Sequence, residues 1–191
     1  MLLSLFNLVF GTLSDLMAVA LLVRFAMQWV RAPFANPVGR FVLAFTDWVV
    51  LPARKLVPGL FGLDLASVLL AWLVQTIFIS VVIGATGIHG GATAMAFGVA
   101  LAAGLVETFR LAIYLAMGVV IVAAVLSWVN PWSPIAPVFG LLASPLLRPF
   151  QRLIPPIGGV DLSPLVVLLL LQVVLRLLDH FRVVLLPFFG P

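Results

Sequence analysis

Asp64 and Asp161 each stand immediately ahead of a long apolar stretch, and they are the residues of this chain best placed for chemistry. A carboxylate there accepts backbone N–H groups of a first helical turn and favours the positive end of the helix dipole. Pro164 fits such a cap, because its missing N–H would be unpaired in the first turn anyway. The same carboxylate has other uses, as a ligand for an ion or a proton, or as a salt-bridge partner for a basic residue of the other half of the chain. Gln75 and Gln172 lie eleven residues further on. At 1.5 Å per residue that is about 16 Å, close to the middle of a ~30 Å hydrocarbon core. An amide at that depth needs a partner, which predicts that both face a helix-bundle interior and bond across helices. Contact with a permeating ion or substrate is the alternative role. Arg54, Lys55, Arg148 and Arg152 precede the same stretches and read as topology determinants and as contacts for lipid or a partner.

Other chemistry is missing from the sequence. Without cysteine there is no disulfide, thiolate metal site or thiol nucleophile. His89 sits alone in a Gly-rich turn and His180 alone near the C-terminus, so neither a His-based metal site nor a His pair for haem is expected. No phosphate-binding Gly loop, H-E-x-x-H or G-x-S-x-G occurs. The expectation is a protein that is not an enzyme and carries no cofactor.

The elements that position these residues come in two copies. Residues 51–65 read LPARKLVPGLFGLDL and residues 148–162 read RPFQRLIPPIGGVDL. At that offset of 97, Pro52 meets Pro149, Lys55 meets Arg152, Pro58 meets Pro155, Gly62 meets Gly159, Asp64 meets Asp161 and Gln75 meets Gln172. Upstream, Asn36-Pro37 meets Ser133-Pro134, and after a two-residue slip Trp29 meets Trp128. One unit, a helix, a Pro-rich basic segment and a second helix, is used twice.

Hydrophobic residues make up 64% of the chain and charged residues 8%, against about 25% charge in a soluble domain. Mean hydropathy is +1.32. Several stretches reach the ~20 residues that cross a bilayer. The net charge of +4 sits in short segments beside those stretches, so anionic lipid head groups, not nucleic acid, are the expected counter-charge. The N-terminus lacks the basic region and cleavage site of a signal peptide, so it reads as part of the first anchor.

Along the chain, residues 2–30 are apolar except for Asp15 and Arg24, and their first turns are expected along the interface. In residues 31–63, Phe41, Phe45, Trp48 and Val49 fall at helical spacing, which predicts a short amphipathic helix in the head-group layer. The second span runs from Asp64 to about Gly84. Residues 94–129 are broken by Glu107 and Arg110, whose i,i+3 spacing allows a pair, so the span proper is expected over Leu111–Val129. The fourth span follows Asp161, and near its end Arg176 and Asp179 are expected to pair. Trp29, Trp48, Trp128 and Trp132 fit an interfacial aromatic belt. The predicted fold is an all-α membrane protein. Four transmembrane helices form two parallel-repeat hairpins, each with a Pro-rich amphipathic interfacial segment. The units are residues 1–84, a turn at 85–93, and 94–191. Because each unit crosses twice, the repeats are related by a pseudo-two-fold axis along the membrane normal. Arg31, Arg40, Arg54, Lys55, Arg148 and Arg152 all lie on one face, which the positive-inside rule puts in the cytoplasm, although Arg176 and Arg182 pull the other way.

Residues 127–172, SWVNPWSPIAPVFGLLASPLLRPFQRLIPPIGGVDLSPLVVLLLLQ, resemble the signature of YggT-family membrane proteins. S-W, a polar-Pro step, P-L-L-R-P-x-R and P-P-x-G-G-x-D-x-S-P precede an apolar span with Gln. Residues 29–75 resemble a decayed copy, in which Trp48 replaces the first Pro of PLLRP, Leu51 its Arg, and Ala66-Ser67 the Ser163-Pro164 pair. The resemblance implies a multi-pass protein of the bacterial inner membrane. It associates the chain with osmotic stress, potassium homeostasis and cell-division gene neighbourhoods. Plastid relatives are associated with nucleoid distribution and maturation of a b-type cytochrome. The expected function is an assembly or organising factor whose basic Pro-rich segments contact lipid or a membrane-protein partner, in a homo-oligomer or with another protein. A small ion channel or transporter in osmotic balance is the alternative, and a cofactor chaperone a third reading by the plastid analogy alone.

Overall fold

The computed structural model describes residues 2–57, 63–85, 93–154 and 161–185. Pro58, Gly62, Pro155, Pro156 and Gly159, the turn with His89, and the side chain of Arg182 lie outside the described residues. Six helices follow one another: α1 (Leu2–Trp29), α2 (Pro37–Leu56), α3 (Leu65–Ala85), α4 (Thr93–Val129), α5 (Ala136–Leu153) and α6 (Ser163–Leu185). Four are long and apolar enough to cross a membrane, over Ser4–Trp29, Leu65–Ala85, Ala96–Val129 and Ser163–His180. The other two, α2 and α5, are the Pro-containing amphipathic segments.

The helix ends follow local chemistry. At the end of α1 the Ala32 N–H reaches the Met27 carbonyl and the Arg31 N–H the Gln28 carbonyl, with Arg31 at φ 55°. That is a Schellman stop built without glycine. Asn36 then caps α2, accepting the Gly39 N–H at 2.9 Å, with Pro37 in the first turn. Ser133 does not repeat that cap; α5 starts behind Ile135 with no side-chain cap.

Each repeat packs the same way: α2 lies against α1 and α3, α5 against α4 and α6, and α1, α3 and α4 join the halves. Small residues permit the joins. Ala18 and Ala71 are fully buried between helices, and a Cβ on Gly104 would stand 2.9 Å from the Thr76 backbone nitrogen. One core gathers Ala18, Leu21, Leu22, Val50, Ala71 and Leu111. The other brings Met27 and Ala32 against Val119, Val120, Val138 and Leu142.

Two expectations change. Helix α4 does not break at Glu107 and Arg110; it runs unbroken for 37 residues, about 55 Å at 1.5 Å per residue. The two charges pair at 3.1 Å, and Arg110 Nε also lies 3.3 Å from Asp179 on α6. Asp179 therefore answers α4 instead of Arg176, and Arg176 is exposed. Helix α1 is likewise continuous from Leu2, with no separate interfacial turn.

Candidate functional site

The first repeat buries a charge cluster where α1, α2 and the start of α3 meet. Arg24, only 2% exposed, donates from Nη1 to Thr46 Oγ1 at 2.8 Å and to Asp47 Oδ1 at 2.7 Å. Its Nε lies 3.4 Å from Asp64 Oδ2. Arg54 grips the same carboxylate with two nitrogens, at 2.6 and 3.3 Å, and reaches Gln28 Oε1 at 3.2 Å. Ser67 Oγ donates to Asp64 Oδ2 at 2.7 Å. Two guanidinium groups thus meet two carboxylates, and the cluster is neutral. Burial pushes the Asp64 carboxyl up, but hydrogen bonds from Arg54 and Ser67 and the charges of Arg54 and Arg24 hold it below the ordinary carboxyl range. The hydrogen bond to Asp64 raises Arg54 in turn.

Asp64 was expected as a cap, an ion ligand or a bridge to the other repeat. Its carboxylate is taken instead by side chains of its own repeat, because the α1–α2–α3 packing delivers Arg24 and Arg54 to it. Asp161 differs. Its Oδ1 accepts the Ser163 backbone N–H at 2.8 Å, as a capping carboxylate does, and its Oδ2 accepts Gln151 Nε2 at 2.8 Å. Burial raises its pKa, but the hydrogen bonds from Ser163 and Gln151 win and lower it.

The repeat offset explains the contrast. By the two-residue slip that aligns Trp29 with Trp128, Arg24 corresponds to Ala123; at the offset of 97, Asp47 corresponds to Ser144, Leu51 to Arg148 and Arg54 to Gln151. With the guanidinium groups gone, a cavity of about 220 Å³ opens beside Asp161, lined among others by Ala123, Ser127, Trp128, Ser144 and Arg148. Among the described residues, neither Asp161 nor Arg148 is in an ion pair.

The remaining sequence candidates separate. Lys55, Arg148 and Arg152 are exposed. Gln75 is 1% exposed and donates to Asp15 Oδ1 on α1 at 2.9 Å. Gln172, against expectation, is exposed on α6. It makes no bond across helices, because α6 packs on α4 and α5, where the counterpart of Asp15 is Tyr114. No group of three or more metal-ligating side chains forms among the described residues. A second cavity, about 380 Å³, lies between α1, α3 and α4 behind Leu22, Trp29, Leu69, Trp72 and Phe109, with Thr108 as its polar member.

Sequence reasoning passed over Arg24 and Asp15 as interruptions of an apolar run and did not single out Asp47 on the amphipathic segment. The available signal was their cost: an ionisable group inside a spanning stretch needs a named partner.

The comparisons agree with this double architecture. The CCB3/YggT family model matches residues 3–85 and again 102–182. A protein named "Uncharacterized protein YggT" from Escherichia coli K12 is 35% identical over 165 residues, covering 86% of this chain and 84% of its own. An uncharacterized protein of Pseudomonas aeruginosa is 34% identical over 165 residues, 85% of this chain and 82% of its own. One from Haemophilus influenzae is 32% identical over 165 residues, 84% of each. No solved structure matches. With its twofold match to the family model and relatives aligned over most of its length, this membrane protein belongs to the CCB3/YggT family.

Proposed function

We propose that the protein is an organising or assembly factor of the bacterial inner membrane. Helices α2 and α5 form a head-group-level platform on the cytoplasmic side for lipid and a membrane-protein partner. The observation that carries this reading is where the unspent chemistry lies. Lys55, Arg148 and Arg152 are exposed on these two helices, and α2 also exposes the aromatics Phe41, Phe45 and Trp48. Gln75 and Asp15, at depth, satisfy each other. Cations flanked by aromatics at span ends suit anionic head groups and acidic partner surfaces. The test is charge reversal, Arg148→Glu with Arg152→Glu, in cells lacking the native copy. The variant is expected to insert normally and to lose its crosslinks to neighbouring membrane proteins together with function. Unchanged function and crosslinks in the inserted variant refute the platform.

A second reading, a small ion conductor in osmotic balance, is favoured by the Asp15–Gln75 pair, an ionisable group at span depth. Potassium and sodium flux through liposomes holding the purified protein tests it. Flux above empty liposomes that disappears in Asp15→Asn puts conduction ahead of the platform.

A further inference from the structure

We propose that the cavity beside Asp161 binds the head group of a phosphatidylethanolamine-type lipid, with its ammonium on Asp161 and its phosphate on Arg148. The inference deepens the platform reading and rests on it, since it names the lipid that α5 contacts.

The first repeat shows what the place accepts. There Asp64 accepts two guanidinium N–H groups from Arg54 and forms a 3.4 Å ion pair with Arg24. In the second repeat the chain supplies Ala123 and Gln151 at those positions. Asp161 keeps the carboxylate, and its cationic partner has been replaced by open volume. A carboxylate already bound to neutral donors, facing a cavity, calls for a cation with N–H groups to give.

The opposite charge on the wall narrows the ligand. Arg148, which replaces Leu51, lines the same cavity and forms no ion pair with Asp161. A bare metal cation would meet that guanidinium, and a bare anion would meet Asp161. A zwitterion with separated ammonium and phosphate satisfies both. The cavity, about 220 Å³, has room for roughly seven waters, which suits a head group and oversizes a single ion. Its position agrees: Trp128 closes the end of α4 and Asp161 opens α6, so the cavity sits at the span ends, where head groups lie. Trp128 and Leu147 supply apolar wall for the glycerol and upper acyl carbons. The ammonium must carry N–H groups to serve a carboxylate in this way, so phosphatidylcholine, whose nitrogen is fully methylated, is the discriminating competitor.

The experiment is native mass spectrometry of the purified full chain. Phosphatidylethanolamine, phosphatidylcholine and phosphatidylglycerol of matched acyl chains are offered at equal concentration, and soluble phosphoethanolamine is offered separately. The expected result is at least tenfold higher retention of phosphatidylethanolamine than of either other lipid, with weak binding of soluble phosphoethanolamine. Asp161→Asn is expected to remove that preference. Gln151→Arg places a guanidinium at the exposed counterpart of Arg54 and is expected to exclude the lipid without threatening the fold; Ala123→Arg, at the counterpart of Arg24, is expected to exclude it too in protein that still folds. Equal retention of the three lipids overturns the assignment, as does a preference for phosphatidylglycerol, which makes the site one for anions. Undiminished retention in Gln151→Arg overturns it too, and tight binding of soluble phosphoethanolamine in preference to the lipid moves the site to a free metabolite. These readouts are separate from the crosslinks that test the platform, so the lipid can fail while the platform stands.

Discussion

The Nε of Arg24 lies 3.4 Å from the Asp64 carboxylate, with the two side chains 3% and 1% exposed. A guanidinium from the last two turns of α1 and a carboxylate from the threshold of α3 therefore hold two helices of one repeat together inside the protein. A buried pair of this kind offers little over an apolar replacement of both partners, but removing one partner strands the other charge. Arg24→Ala leaves both Asp47 and Asp64 without their inner cation and is expected to cost about 3–5 kcal/mol. Thermal melting of the detergent-solubilised protein measures it. Arg24→Lys, which cannot span Thr46, Asp47 and Asp64 with one planar group, is expected to fall between the two.

The lowered pKa of Asp64 sets a pH dependence. In the unfolded chain the carboxyl titrates at about 3.9, and in the folded one below that. Its stabilisation is therefore fully present above the unfolded value and is lost as pH falls through the lowered one. Melting temperature should be flat in this contribution from neutral pH down to about pH 5, and should drop steeply below about pH 4. Asp64→Asn is expected to melt lower at neutral pH and to show a shallower acid drop. An acid drop as steep as that of the parent protein would assign the sensitivity to another carboxylate.

What the sequence disclosed about this protein was what local pattern encodes. Apolar runs of spanning length marked α1, α3 and α6, helical spacing of Phe41, Phe45 and Trp48 marked α2, and i,i+3 spacing marked Glu107–Arg110. The cluster was not legible, because Arg24, Asp47 and Asp64 meet only when α2 folds back between α1 and α3. The exposed position of Gln172 was hidden for a different reason. Gln172, Arg176 and His180 recur at i, i+4 and i+8 and mark one polar face of α6, but the pattern reads equally as a face turned into a polar bundle interior. The length of α4 was hidden by its own charges, which read as a break until Asp179 was brought beside them. The repeat itself gave more than either copy. Its departures from symmetry, Ala123 for Arg24 and Gln151 for Arg54, mark the place where one copy is sealed and the other open.

Helix α2 depends on a close approach at its start. A Cβ on Gly39 would stand 2.5 Å from the Phe34 carbonyl oxygen and 2.6 Å from its Cα, both backbone atoms that cannot step aside. Gly39→Ala is expected to cost about 1–3 kcal/mol through overpacking and to loosen the Asn36 cap with it. Gly118→Ala is the control, since nothing lies within 4 Å of the added methyl; it is expected to be neutral or to stabilise α4 by up to about 1 kcal/mol. Limited proteolysis between α1 and α2 reads the first effect, and melting temperature reads both.

The two glutamines test whether depth or partnership governs a polar group in this bundle. Gln75 and Gln172 occupy equivalent positions of the repeat, yet one donates to Asp15 at 2.9 Å and the other is exposed. If depth alone mattered, replacing either with leucine would have the same effect. Partnership predicts a split. Gln75→Leu strands the Asp15 carboxyl among apolar neighbours and is expected to cost between about 0.6 and about 1.7 kcal/mol, the mean and the maximum measured for hydrogen bonds between spanning helices. Gln172→Leu exchanges an unpaired amide for an apolar side chain on an exposed face, and is expected to leave the melting temperature unchanged or to raise it. The double substitution Asp15→Leu with Gln75→Leu should recover most of the loss, because it removes both polar groups together. Equal destabilisation by the two single substitutions would mean that Gln172 has a partner of its own in the assembled protein. In that case crosslinking from position 172 should capture a second chain in the membrane.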